Sequence, residues 1–495
     1  MLTLAILLPL GGALLLAWLP ALQPEPVARR FAIAIAALPL LILLGVAWNF
    51  DLAPGAAPFQ FVQQVPWIPS LGMAWRVGTD GIALAITLMS ALLFLAAVSW
   101  PAQTRGRAAA YYAWFLFLEG VSLGVFLALD LLLFYVFFDL SLVGMYFLIG
   151  RWGHGQARQA ATKFFIYTLA GSLAILLASI ALGLSMTPIN FDMRELIARQ
   201  PLAGAGPLAT WVLWGFLVGL AVKTPLFPFH TWLPQAHVDA PAPASAILAG
   251  VLLKMGVFGL IRIPLSMMRE TFAASAMVLA VVAVVSVLWG ALVALGQSNL
   301  KRRIAYTSIN HMGYAVLGVA AAGMLAGGSA ARSLALTGAV VEMVAHGLIT
   351  GALFFVTGVF WQRGEEYAID AYGGLAQVAP RLAVAATLAA FASFGLPGLA
   401  GFVAEFQIFA GAFAVAPWLA GVALLGIVLT AALFLNLLQR LFFGELPARW
   451  VGFPDLDRAE TTVLAVLLAL VVAIGVYPRW WLALIGGAAS ALAGR

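Results

Sequence analysis

Residues 220–262 read LAVKTPLFPFHTWLPQAHVDAPAPASAILAGVLLKMGVFGLIR, and they set two lysines and two histidines among apolar residues that otherwise suit a bilayer. A charge near the bilayer centre costs at least about 2.5 kcal/mol even on insertion scales, so Lys223 and Lys254 are expected to face a polar cavity or a carboxylate. Pro225 and Pro228 follow Lys223 closely. Proline removes a backbone donor and disfavours helix in the residue before it, so the helix is expected to break beside this lysine. Broken helices at membrane depth are tolerated only where the freed backbone lies inside protein or meets water, and in transporters they mark ion sites. Lys254 has long apolar runs on both sides, which place it too deep to reach the interface by extending its stem. A kinked span with a snorkelling lysine accounts for one such residue but not for the pair.

The composition agrees with a membrane setting. Of the 495 residues 64% are hydrophobic and only 9% charged, against roughly 25% charged in soluble domains. The net charge of +6 does not point to nucleic acid, because no basic cluster is longer than Lys301, Arg302 and Arg303. There are no cysteines, which excludes disulfides, thiolate metal sites and cysteine-held iron–sulfur clusters in this chain. The first twenty residues have an apolar core but no basic leading region or clear cleavage site, and they read as a retained first span. No GxGxxG after a strand, Walker loop, HExxH or GxSxG competes for the function.

Apolar runs of about 17 to 25 residues occur about fourteen times, which predicts an all-α polytopic membrane protein. The longer polar links are 51–79, rich in proline and tryptophan, and 187–209, where DMRELIARQ is expected to form a short interfacial helix. The spans near 110–128 and 131–150 are joined by almost no loop, with Asp130 at the turn. The last stretch, 461–491, contains Pro478 and reads as a span followed by a surface helix. An even number of spans puts both termini on one side. Sorted by loop, 15 basic residues fall on one side and seven on the other, the latter including Arg76, Arg269 and Arg495. By the positive-inside rule the first set is cytoplasmic and both termini lie outside. A second interruption, GLPGLAGFVAEF around Pro397, precedes Glu405. Its spacing from the first fits two inverted five-helix halves, 110–268 and 273–442, flanked by N-terminal helices over 1–109 and a C-terminal helix over 443–495.

The runs KTPLFPFHTWLP and APASAILAGVLLKMGVFGLIR resemble the antiporter-like M-type membrane subunit (subunit 4 type) of respiratory NADH:quinone oxidoreductase, complex I. The resemblance extends from about Asp80 to Glu405. It implies a proton-translocating subunit of a redox-driven enzyme with no redox centre of its own, in a bacterial-type plasma (inner) membrane. NADH, FMN, iron–sulfur clusters and quinone would belong to other subunits, and L-type and N-type antiporter-like subunits would be the neighbours.

Ionisable residues recur inside the spans as acids, bases and histidines in turn, the composition of a proton relay. Asp139 lies in LLLFYVFFDLSLVGMYF and needs a cation. The resemblance implies a pair with Lys223, the aspartate being one methylene shorter than the family's glutamate. Lys254 matches the family's central lysine, and a desolvated lysine can release its proton where arginine stays charged. His311 and His346 match family histidines and can pass a proton through their two nitrogens, although an isolated core histidine is equally consistent with each. Glu405 matches a glutamate of the M-type, where L-type, N-type and stand-alone antiporter relatives carry lysine. Secondary polar candidates are Glu119, Asp130, His230, His237 and Glu342, the last four residues before His346 on one helix face. Other departures from the family pattern are Gln235, Asp239 and Asn299, which bear on local contacts near loops. Two rival readings remain: a subunit of a multisubunit cation/proton antiporter, which Glu405 argues against, and a hydrogenase- or ferredoxin-linked complex I relative.

Overall fold

Pro and Gly punctuation, rather than helix propensity, divides this apolar chain into its elements. The computed structural model describes residues 1–53 and 55–494; Pro54, within the 51–79 link, and Arg495, counted above among the basic residues, lie outside them. The chain opens with α1 (Leu2–Trp18) and α2 (Glu25–Trp48). The 51–79 link then holds an antiparallel hairpin, β1 (Gln60–Ile68) and β2 (Met73–Thr79), turning on Gly72 at φ 69°. The all-α expectation misses this element. Its residues include Phe61, Val62, Val65, Trp67 and Ile68, the β-branched and aromatic types that suit a pleated, half-buried surface.

Next come α3 (Gly81–Ser99), α4 (Ala108–Leu127), α5 (Leu131–Trp152) and α6 (Ala157–Leu184). A short α7 (Met193–Arg199) forms where DMRELIARQ leads to expect it, capped by Asp192. The first broken helix is α8 (Pro207–Lys223) followed by α9 (Leu233–Asp239). Then α10 (Ala242–Leu265) runs with wide π-turns at Leu248–Leu252 and Ile261–Leu265. After it come α11 (Arg269–Leu295), α12 (Leu300–Gly323) and α13 (Ser329–Gly364). The second broken helix is α14 (Pro380–Ser393) followed by α15 (Ala400–Val415), and α16 (Pro417–Phe442), α17 (Arg458–Val476) and α18 (Arg479–Ala493) complete the chain. The stretch with Pro478 is therefore two helices.

Ten of the described helices are long and apolar enough to cross a bilayer, and α1, α8, α14 and α15 are shorter apolar helices. α12 falls outside both groups because it carries KRRIAYTSINH, yet nearly all of it is buried against α11 and α13. α13, 36 residues long, is the central post: its most apolar window is wholly buried, and it packs against α10, α12, α14, α15 and α18.

One end of the bundle gathers the N-terminus, the hairpin and the links around α7, tied by Thr3 to Gln63 (3.0 Å) and by Gln200 to the Ser266 carbonyl (2.7 Å). At the other end Arg29 donates to the Ser99 carbonyl (2.7 Å) and Gln362 to that of Pro101 (2.7 Å). Asp130, at the tight α4–α5 turn, is the tie between hairpin and bundle. It is fully buried, caps α5 at the amides of Leu132 and Leu133 (3.1 and 3.2 Å), and accepts from the Ala74 amide (3.1 Å) and from Arg76 (2.6 Å).

Removing one partner of a buried ion pair leaves an uncompensated charge, so Asp130→Ala should destabilise the fold by about 3 kcal/mol or more. Thermal inactivation of the detergent-solubilised protein measures this, and an unchanged midpoint would show that Asp192, 3.5 Å from Arg76, suffices alone.

Candidate functional site

The first break does what its prolines lead one to expect. α8 ends at Lys223, and the backbone freed over the next nine residues is satisfied within the protein. Trp232 donates its indole N–H to the Val222 carbonyl (3.0 Å), and the Phe227 amide donates to Ser286 (2.9 Å). His230 stands in this break and accepts from the indole of Trp289 (3.1 Å), an orienting contact.

Lys223, 2% exposed, sits at the C-terminus of α8, where unpaired carbonyls favour a cation. Its ammonium donates to Ser141 Oγ (3.0 Å) and lies 4.8 Å over the Phe138 ring. The implied pair with Asp139 is not made: no ion pair joins the two, although the ammonium touches Phe138 and Ser141, which flank Asp139 on α5. The reason is rotational. Asp139 and Ser141 are two residues apart on α5, about 200° around the helix axis, and the shorter acid is held elsewhere, by the Tyr135 hydroxyl on Oδ2 (2.9 Å). Asp139 is half-buried, and its Oδ1 has no partner. Glu119 does not replace it, since both its oxygens are buried without a hydrogen bond.

Lys254 is completely buried, and two features hold it. The π-turn ahead of it presents the Ala249 carbonyl to the ammonium at 2.6 Å, and His346 Nδ1 lies 2.6 Å away on the other side. π-turns recur at functional sites because they offer carbonyls to groups other than the helix's own amides. The lysine meets the histidine because α10 and α13 cross backbone to backbone: a methyl group on Gly347 would lie 3.1 Å from the Gly250 carbonyl oxygen. Thr224, next to Lys223, packs its side chain against Gly256 of α10, joining the first break to the lysine helix.

Beyond His346 the approach is ring to ring, since its Nε2 makes no hydrogen bond. The His346 and His311 rings are 5.3 Å apart between centroids. His311 places Nδ1 3.1 Å from Glu342 Oε1 and Nε2 3.0 Å from Ser393 Oγ. Ser393 ends α14 at the lip of the second break. There Gly395, at φ 75°, leaves room that the Glu405 carboxylate fills, so any side chain at 395 would be strained and would collide with it.

Of the residues singled out in the sequence, the structure brings Lys254, His346, His311, Glu342 and Glu405 into one line. Lys223 and Asp139 sit side by side without touching. His237 is fully buried and stacked on Phe354 (4.5 Å), with neither ring nitrogen partnered. Asp130 belongs to the hairpin anchor and His230 to the packing of the break. Sequence reasoning passed over Ser141, Ser393 and Tyr135. Serines and tyrosines in apolar spans carry no charge to betray them, and only Tyr135, one helical turn before Asp139, had a positional cue.

The chain as a whole is similar to known proteins. The family model described as NADH:quinone oxidoreductase/Mrp antiporter, TM, matches residues 128–430. A relative in Synechococcus sp. (strain JA-3-3Ab), NAD(P)H-quinone oxidoreductase chain 4 1, is 40% identical over 489 residues, covering 96% of this chain and 89% of that protein. The chain 4 2 protein of Thermosynechococcus vestitus is 38% identical over 97% of this chain and 89% of its own length. Among solved structures, a chain of respiratory complex I from Thermus thermophilus with bound NADH superposes with a TM-score of 0.87 at 32% identity, over 100% of this chain and 99% of that one. The Mrp complex from Dietzia sp. gives 0.85 at 23% identity, over 100% of this chain and 52% of that one, a likeness of fold alone. With a family match over more than half of its residues and relatives alike along almost its whole length, this chain belongs to the NADH:quinone oxidoreductase/Mrp antiporter family of membrane subunits.

Proposed function

We propose that this chain is the proton-translocating, antiporter-like M-type subunit of an NADH:quinone oxidoreductase. The observation that carries the reading is the succession of buried polar groups from Lys254 and His346, across a gap between two imidazole rings, to His311, Glu342 and Ser393 and on to Glu405 at the second break, all within an apolar bundle. A lysine ammonium in contact with an imidazole nitrogen can hand it a proton, and His311, with its two nitrogens facing Glu342 and Ser393, is the next group that can take it up. The Ser393 hydroxyl, which both donates and accepts, carries the line to the second break. Glu405 is the last acceptor. Reorientation of His346 toward His311, or a bridging water, closes the 5.3 Å between the rings. Lys254 is reloaded from the cytoplasmic side, and the charge state at Lys223 and Asp139 couples the chain to its neighbour.

The rest of the reading belongs with this. The chain makes fourteen passes, counting α8–α9 and α14–α15 as one each, with both termini outside in a bacterial-type plasma membrane. Two inverted halves, 110–268 and 273–442, stand between the 1–109 and 443–495 flanks. L-type and N-type subunits are the neighbours, and NADH, FMN, iron–sulfur clusters and quinone are held elsewhere in the complex. An acid rather than a lysine at 405 favours this reading over a cation/proton antiporter.

Lys254→Met in the assembled complex, reconstituted in vesicles, should lower proton flux by about 100-fold, the low end of what a positioned proton-transfer group contributes. Lys254→Arg should be nearly as damaging, because guanidinium does not give up its proton. A wild-type proton-to-electron ratio in either variant refutes the relay. Glu342→Gln keeps the shape but removes the proton-accepting carboxylate that faces His311 Nδ1, so it should cut proton flux several-fold without loss of assembly. A wild-type flux would move Glu342 out of the line. Glu405→Gln should impair pumping and Glu405→Asp should restore most of it, both read as the proton-to-electron ratio; full activity in the glutamine variant would exclude an obligatory acceptor there.

A further inference from the structure

We propose that Ser141 and Tyr135 are positioning residues that hold Lys223 and Asp139 apart, so that this base and this acid meet only when one of the two retaining hydrogen bonds opens. The inference rests on the reading of the chain as a proton-translocating subunit and adds to it the residues that set its coupling pair.

Both restraints lie on α5 and act from opposite sides. The hydroxyl of Ser141 donates to the Phe138 carbonyl (2.6 Å), which turns its lone pairs toward the ammonium of Lys223 at 3.0 Å. The Phe138 ring, 4.8 Å from the same ammonium, completes a cradle buried from solvent. Tyr135 stands one turn before Asp139 and commits its hydroxyl to Oδ2 (2.9 Å), while Oδ1 has no partner. A buried ammonium resting on a neutral hydroxyl, beside a carboxylate with a vacant acceptor, is not the arrangement of greatest Coulombic attraction. Contact with Asp139 would require the lysine to leave Ser141, because the two side chains diverge around the helix. The open arrangement therefore depends on these two hydroxyls.

The test uses the intact complex in vesicles and two readouts that do not depend on pumping: the Lys223 contact, seen by electron cryo-microscopy, and the carboxylate band of Asp139, seen by isotope-edited infrared difference spectroscopy. In Ser141→Ala the ammonium should move onto Asp139, to within ~4 Å, with a shift of the carboxylate band. Turnover should fall several-fold. Ser141→Thr keeps the hydroxyl and should restore the wild-type contact, band and turnover, and Tyr135→Phe should free Asp139 and give the same closed pair from the other side. The proposal is overturned if Lys223 stays in place with an unshifted band in Ser141→Ala, or if threonine does not restore the open pair. Failure of the relay itself would show separately, as a wild-type proton-to-electron ratio in Lys254→Met.

Discussion

The buried ammonium of Lys254 is the constraint to which the rest of this molecule answers. An ammonium taken out of water into an apolar bundle is tolerated only with hydrogen-bond partners supplied by the protein, at a cost of several kcal/mol per ion even after relaxation. Two devices supply them: a π-turn that turns the Ala249 carbonyl toward the lysine, and a helix crossing close enough to bring His346 to 2.6 Å. The crossing in turn needs glycine at 250 and 347, because backbone meets backbone there. Neither device is needed for a stable apolar bundle. Both are explained by a cation that must be held inside the bundle and that, on the proposed relay, gives up its proton there.

The same economy governs the two interruptions. At the first, Trp232 and Ser286 take up backbone groups that the break frees, and Lys223 is fixed at the end of α8. At the second, Gly395 adopts a conformation open to glycine and gives its missing side-chain volume to the Glu405 carboxylate. Between the breaks runs α12, too polar to register as a membrane span, yet buried almost throughout. Its polarity is a sign of position: a helix surrounded by other helices can carry His311 and Asn310 where a lipid-facing one cannot.

The outer surface obeys simpler rules. Large apolar side chains such as Trp18, Trp48, Trp211 and Trp418 are strongly exposed near helix ends, as expected of aromatic residues at the levels of the two membrane interfaces. The hairpin and the 185–206 link are anchored by Asp130, which sits at a turn too short to hold a loop. One buried carboxylate thereby fixes the hairpin, the start of α5 and, through Arg76 and Asp192, the short α7.

Much of this was written locally. Pro225 with Pro228, and Pro397 with its glycines, determined where helices break, because a missing amide or a positive φ acts on the residues beside it. Lys254 and Glu405, set in apolar runs, had to be buried and provided for. The hairpin was less legible, its alternation being hidden by proline and tryptophan. Partner choice was not legible at all. Lys254 meets a histidine 92 residues away, and Lys223 takes a serine where the family pattern implied an acid. Such choices rest on where two helices cross and on how each side chain is rotated about its own helix. Those are properties of the packed bundle, in which a single turn of rotation or one methylene decides whether two charges touch.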